Sequence, residues 1–212
     1  AFLFTGVPLV AWGLFDARTY FASPFRTVYT VLMLLATLLV VIFVPKEGRG
    51  EGLGVRTLPR QRWAILYLQL ASLLFVILSP LADRHGWLVY SGGPLVRGTG
   101  LVLTCTGYFF MSWAVFALGR QFSMNVTIQK NHELITNGPY RFIRHPRYLG
   151  ILLFFAGISL VFRSGVSMAL VVVTLFVIRW RIKDEEKLMR GEFKAYWDAY
   201  VKQTWQLVPF LF

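Results

Sequence analysis

The chain holds one cysteine, Cys105, and three histidines, His85, His132 and His145, among its 212 residues. A single thiol excludes a disulfide framework and any multi-cysteine metal site, and no His-Glu-x-x-His spacing is present, so no metal is expected. Charge is scarce as well. Only 15% of residues are Asp, Glu, Lys or Arg against 56% hydrophobic, with a mean hydropathy of +0.58, far from soluble averages. Acids are scarcest: 10 Asp and Glu face 22 Lys and Arg, a net charge of +12. In a soluble protein that excess would suggest nucleic acid. Here the bases alternate with long uncharged stretches, so the partner expected is a bilayer with anionic head groups, and no nucleic acid.

A helix needs about 20 apolar residues to cross the hydrocarbon core. Thr27 to Val44, Trp63 to Ala82 and Gly98 to Gly119 contain no charged residue and are bounded by Pro, Gly or charge, so each reads as a spanning helix. A fourth apolar region, Tyr148 to Ile178, is broken at Arg163, the first residue of Arg163-Ser164-Gly165, into halves of 15 uncharged residues, about 22 Å of helix each. A charge at mid-membrane is costly, so this region reads as a helical hairpin with Arg163 at its tip rather than one long kinked span. The opening run, Ala1 to Phe15, is uncharged but short and contains Gly6, Pro8 and Gly13, which fits an interfacial helix or a further span. Without a basic segment before it or a small-residue cleavage pattern after it, a signal peptide is not expected. The fold class is therefore all-α: a polytopic membrane bundle of about five transmembrane helices, with a C-terminal hairpin and a cytoplasmic amphipathic helix.

The bases set the orientation, because Lys and Arg collect in cytoplasmic loops. Segments 45–62, 119–147 and 179–212 carry 5, 5 and 7 Lys and Arg, 17 of the 22, and the other side keeps Arg18, Arg26, Arg84, Arg97 and Arg163. Loop 119–147 and tail 179–212 are thus expected in the cytoplasm, and Arg163 opposite. The glycine-rich Gly48 to Gly54 joins two membrane helices without the strand and helix that a nucleotide-binding loop needs, and reads as a linker.

Chemistry concentrates in two places. The loop before the hairpin contains Asn131-His132-Glu133-Leu134 and then Gly138-Pro139-Tyr140-Arg141-Phe142-Ile143-Arg144-His145-Pro146-Arg147-Tyr148. Gly138-Pro139 predicts a turn and Pro146 the first turn of a helix, which would leave Arg144 and His145 beside free N–H groups at the positive end of a dipole, a natural anion site. Just after the hairpin comes Asp184-Glu185-Glu186. On a helix these three point about 100° apart, so at most two line one pocket; the plain alternative is a solvated face in which Glu186 pairs with Arg190 at i, i+4. The tail from Phe193 through Tyr196 and Tyr200 to Thr204–Pro209 is basic, aromatic and amphipathic, as suits a helix in the membrane interface. Bases from the loop and acids from the tail could together enclose a small zwitterion; physics of the sequence does not name it.

These residues resemble the isoprenylcysteine carboxyl methyltransferase family, with the phospholipid methyltransferases that share its C-terminal signature. The likeness is carried by Gly138-Pro139-Tyr140-Arg141 through Arg144-His145-Pro146-x-Tyr148-x-Gly150, by Glu185-Glu186-x-x-Met189, by Tyr196 and Tyr200, and by the ending Thr204–Pro209, over about the last 95 residues. The resemblance implies one integrated domain: membrane helices in 1–118, and in 119–212 a methyltransferase core of loop, hairpin and tail. It implies S-adenosylmethionine as cofactor and a lipophilic methyl acceptor reaching the site from the bilayer. Carried over by position, His132, Leu134, Tyr140, His145, Pro146 and Glu186 line the cofactor, while Arg144 and Glu185 face the acceptor as the catalytic pair. Two departures, Arg147 where Met or Ser is common and Lys194 where Gly follows the Phe, bear on the acceptor.

Two other readings compete. A sterol-reductase type of enzyme would bind NADPH in a corresponding pocket, but has a longer membrane part and needs more bases for a 2′-phosphate. A membrane scaffold or small transporter would use its basic loops only to hold head groups, and would show no saturable S-adenosylmethionine binding.

Overall fold

A computed structural model describes residues 2–43, 54–57, 61–119, 127–129 and 133–209. Among these the chain is helical apart from one small ribbon: α1 (Phe2–Trp12), α2 (Ala17–Phe21), α3 (Pro24–Phe43), β1 (Gly54–Thr57), α4 (Arg62–His85), α5 (Gly93–Leu118), β2 (Thr127–Gln129), α6 (Pro146–Val161), α7 (Gly165–Phe193) and α8 (Ala195–Gln203). The all-α expectation holds, with one addition. Strands β1 and β2 pair antiparallel, Thr57 opposite Thr127 and Gly54 opposite Gln129, which lets two loop segments satisfy each other's backbone groups. Most of Gly48 to Gly54 lies outside the described residues.

α4, α5 and α7 are each long and apolar enough to cross a membrane, and α3 makes a fourth when taken with the segment Leu14–Phe21, from which it bends by 109°. α1 is too short to span, and α6, with 16 residues, reaches about 24 Å. Among the described residues three to four helices are thus full-length spans, and α6, the first arm of the hairpin, is shorter. Along α3, Val28, Val31, Leu34, Leu35 and Leu38 are exposed, as are Val172 and Val173 of α7. An apolar face of this kind, on helices whose backbone groups are paired internally, suits lipid contact, and the chain is an integral multi-pass membrane protein.

Two compact units can be distinguished, one of residues 1–45, 69–106 and 152–174, the other of 46–68, 107–151 and 175–212. In the first, Tyr29 meets Phe162 edge to face at 5.5 Å and Phe75 stacks on Phe155 at 4.1 Å. α5 and α6 run in close contact there. A Cβ on Gly157 would stand 2.4 Å from the backbone N of Thr104, so only glycine permits this approach. Gly157→Ala is expected to destabilise the protein by about 1–3 kcal/mol; thermal melting in detergent checks it, and an unchanged midpoint would show that the two helices can part at no cost.

The hairpin is present. α6 ends at Val161, Arg163 turns the chain at φ +52°, and the N–H of Ser164 donates to the carbonyl of Ser159 at 2.7 Å before α7 starts at Gly165. In the second unit, Tyr148 near the start of α6 touches Arg181 and Glu185 near the end of α7, so the two arms run antiparallel.

α7 and α8 are joined at Lys194, which adopts φ 48° and ψ −119°, a conformation suited to glycine. The departure from the family's Phe-Gly step thus falls on a strained, exposed backbone position. Lys194→Gly is expected to stabilise the protein by about 1 kcal/mol without lowering activity. A lower melting midpoint in this variant would mean that the lysine side chain outweighs the strain.

Candidate active site

The second unit brings the two chemical stretches of the sequence together. Gly138, at φ +56°, starts the turn Gly138–Arg141, and Ile143 pairs with Trp205 of the tail in a parallel bridge. The N–H of Arg144 donates to the carbonyl of Trp205 at 2.8 Å, that of His145 to Gln206 at 3.1 Å, and that of Trp205 to Phe142 at 2.9 Å. The tail is thereby laced to the loop. The N–H groups of Arg144 and His145 themselves are thus taken by tail carbonyls.

The side chains of both residues turn to Glu186. Arg144 Nε donates to Glu186 Oε1 at 2.9 Å, His145 Nε2 lies 3.2 Å from the same oxygen, and Gln206 Nε2 donates to Oε2 at 3.0 Å. Arg144 Nη1 also donates to the carbonyls of Val201 and Thr204 and to Thr204 Oγ1. Glu186 therefore faces the loop rather than Arg190, which pairs with Asp198 at 2.9 Å. Burial alone would raise the Glu186 pKa, but hydrogen bonds and charge from His145 and Arg144 outweigh it and lower it to about 2. The folded value is depressed, so this contribution to stability is complete above the ordinary 4.5 and is lost as the pH falls toward 2. At neutral pH Glu186 is a fixed anion.

The three consecutive acids have three different partners, as their angular separation requires. Asp184 accepts from Gln61 Nε2, Glu185 accepts from the hydroxyl of Tyr148 at 2.7 Å, and Glu186 takes the loop. Tyr148 in turn accepts from Arg181 Nε at 2.6 Å and stacks on His145, ring centroids 5.7 Å apart. Tyr200 donates to the backbone carbonyl of Tyr140 at 2.6 Å. Burial pushes the Tyr200 hydroxyl up to about 12 and Tyr140 higher still, so both remain neutral donors.

Of the residues singled out in the sequence, Arg144, His145 and Glu186 meet directly, Glu185 stands one helical step away on Tyr148, and Pro146 is the first residue of α6. Tyr140 is buried beside Tyr200, Leu134 is half-buried in a segment without regular secondary structure, and His132 lies outside the described residues. Two participants, Arg181 and Gln206, carried no role in the sequence reading. Their signal is their placement: one turn before Glu185 on α7, and directly after Trp205 in the tail.

Fold and site define a polytopic helical membrane protein that joins a basic loop to an acidic helix end. Residues 100–191 match the model of the isoprenylcysteine carboxyl methyltransferase family. Protein-S-isoprenylcysteine O-methyltransferase A of Arabidopsis thaliana is 29% identical over 151 residues, 70% of this chain and 73% of that protein. A probable protein-S-isoprenylcysteine O-methyltransferase of Oryza sativa subsp. indica is 32% identical over 121 residues, 55% and 62% of the two lengths. The solved structure of a eukaryotic intramembrane Ras methyltransferase, isoprenylcysteine carboxyl methyltransferase, shares the fold with a TM-score of 0.57 at 22% identity, over 88% of this chain and 66% of that one.

Proposed function

We propose that this chain transfers the methyl group of S-adenosylmethionine to a lipophilic acceptor, an isoprenylcysteine-type carboxylate or a related lipid, on the cytoplasmic face of the membrane. The observation that carries the reading is the convergence of Arg144, His145 and Gln206 on Glu186, which joins both halves of the family signature at one carboxylate. The family match and the names of the relatives support the same chemistry, and lend none to the sterol-reductase alternative.

The donor set fits the cofactor. A carboxylate has about four acceptor sites. Three contacts occupy Glu186, and its side chain is still 22% exposed, which leaves room for a hydroxyl or ammonium. Glu186, His145, Tyr140, Pro146 and Leu134 would hold the cofactor, with His132. When bound, S-adenosylmethionine supplies an electrophilic methyl on sulfonium sulfur. Attack on such a methyl depends on alignment and desolvation more than on proton transfer, so the protein's part is to position. Arg144 is suited to orient an acceptor carboxylate. Its Nε and Nη1 are fixed by Glu186 and the tail, while Nη2 has no hydrogen bond among the described residues and belongs to a planar fork that matches a carboxylate. Glu185, held by Tyr148, supplies a second polar anchor for the acceptor.

Binding of S-adenosylhomocysteine to detergent-purified protein, by calorimetry or thermal shift, tests the reading. Saturable stabilisation at micromolar ligand, with radiolabelled methyl appearing in a lipid fraction, is the expected result; its absence returns the chain to the scaffold reading. The cytoplasmic placement rests on the distribution of bases. Single-cysteine labelling in a Cys105→Ser background tests it, and extracytoplasmic accessibility at position 130 would overturn it.

A further inference from the structure

The first unit contains a charged cluster with no part in methyl transfer. Asp83, its side chain 1% exposed, accepts from three arginines: Arg26 Nη1 at 2.9 Å on Oδ2, and Arg97 Nη2 at 2.8 Å and Arg163 Nη2 at 3.2 Å on Oδ1. Three guanidinium groups on one carboxylate leave two positive charges unbalanced. The arginines differ in how far they are satisfied. Arg26 is completed by the carbonyls of Tyr20 and Thr19 and lies over the ring of Trp12 at 4.2 Å; Arg97 also donates to the carbonyl of Val161. Arg163 has no second partner among the described residues, and its buried Nε has no acceptor.

All three arginines line one cleft of about 360 Å³. Its other walls are the starts of two helices, Pro24 and Phe25 of α3, and Gly93 and Pro94 of α5, so the positive ends of both helix dipoles border it. Arg163 is held at a positive φ, a conformation a side chain adopts at a cost, on the turn that aims it here. Cations, dipole ends and an unmatched donor thus meet in a space large enough for a ligand.

The geometry points to this cleft as a binding site for a phosphate oxyanion, that of a membrane phospholipid head group. The lipid source is favoured by the apolar side chains exposed on α3, on α5 and at the end of α2, Val28, Leu95 and Phe21, which suit acyl chains. Inorganic phosphate is the other source of the same chemistry.

Purified protein in a neutral detergent would be titrated with dioleoylphosphatidylglycerol, with dioleoylphosphatidylcholine and with inorganic phosphate at matched ionic strength, reading thermal midpoints and, for lipid, native mass spectra. Phosphatidylglycerol should stabilise the parent saturably. Arg163→Gln should weaken that effect about tenfold or more, the loss of one charged hydrogen bond. Arg18→Gln removes the same charge from an exposed position outside the cleft and should behave as the parent. Arg163→Lys keeps the charge without the fork and should fall between the parent and Arg163→Gln. Without ligand, Arg163→Gln should melt no lower than the parent, since it relieves repulsion; a purely structural arginine would lower it. A response to phosphate alone with the same dependence on Arg163 assigns the site to a soluble oxyanion, and a response to lipid alone to the head group. Equal loss in Arg163→Gln and Arg18→Gln, or no difference between Arg163→Gln and the parent, overturns the site.

Discussion

Asp83→Asn is expected to be the most destabilising single substitution in the first unit, by about 3–5 kcal/mol, because it leaves three arginines beside one another without a counter-charge. The neighbouring pair Arg84–Asp16 sets the contrast. It is 3.4 Å long with side chains 34% and 40% exposed, and Asp16→Asn should cost less than about 1 kcal/mol. Combining Asp83→Asn with Arg163→Gln removes one stranded cation and should recover part of the loss, a coupling that a double-mutant cycle measures. Thermal or denaturant unfolding in one detergent, with the parent, the three single variants and the double variant side by side, provides the comparison. If Asp83→Asn behaves like Asp16→Asn, water or detergent solvates the arginines and the cluster is not an energetic unit.

That cluster also marks the boundary of what the sequence discloses. Uncharged runs located α3, α4 and α5, and Arg163-Ser164-Gly165 located the hairpin turn, because length and charge alone decide whether a helix can lie in lipid. Arg26, Arg97 and Arg163 were visible only as the minority bases of one side. Their shared partner lies 57, 14 and 80 residues away along the chain, and pairings at such distances have no period to follow. The short first arm of the hairpin is legible as a 15-residue half. In the second unit the family signature brought out Arg144, His145 and Glu186, but their hydrogen bonds belong to tertiary structure. The parallel pairing of Ile143 with Trp205, which draws the tail across the loop, has no signal in either segment. Lys194 is the reverse case: the sequence marked it as a departure, and its backbone angles supply the physical reason why glycine is suited there.

The largest expected effects on activity fall on Glu186 and Arg144. Glu186→Gln keeps the size of the side chain but removes the anion that receives Arg144 and His145, and it leaves Arg144, only 8% exposed, tied to backbone carbonyls without a counter-charge. Each lost charged hydrogen bond is worth about 1.5–3 kcal/mol, so affinity for S-adenosylhomocysteine should fall about tenfold or more, and methyl transfer with it. Arg144→Lys is the sharper test. One ammonium group cannot reach Glu186, Val201 and Thr204 together and still offer a planar edge to an acceptor. Turnover should fall at least tenfold, a rise in barrier of about 1.4 kcal/mol. Because Arg144 also braces Glu186, cofactor affinity should fall as well, but less. The ratio of the two losses separates the roles. A turnover loss well beyond the affinity loss places Arg144 on the acceptor, parallel losses confine it to bracing Glu186 and the tail, and parent-like turnover removes it from the site altogether.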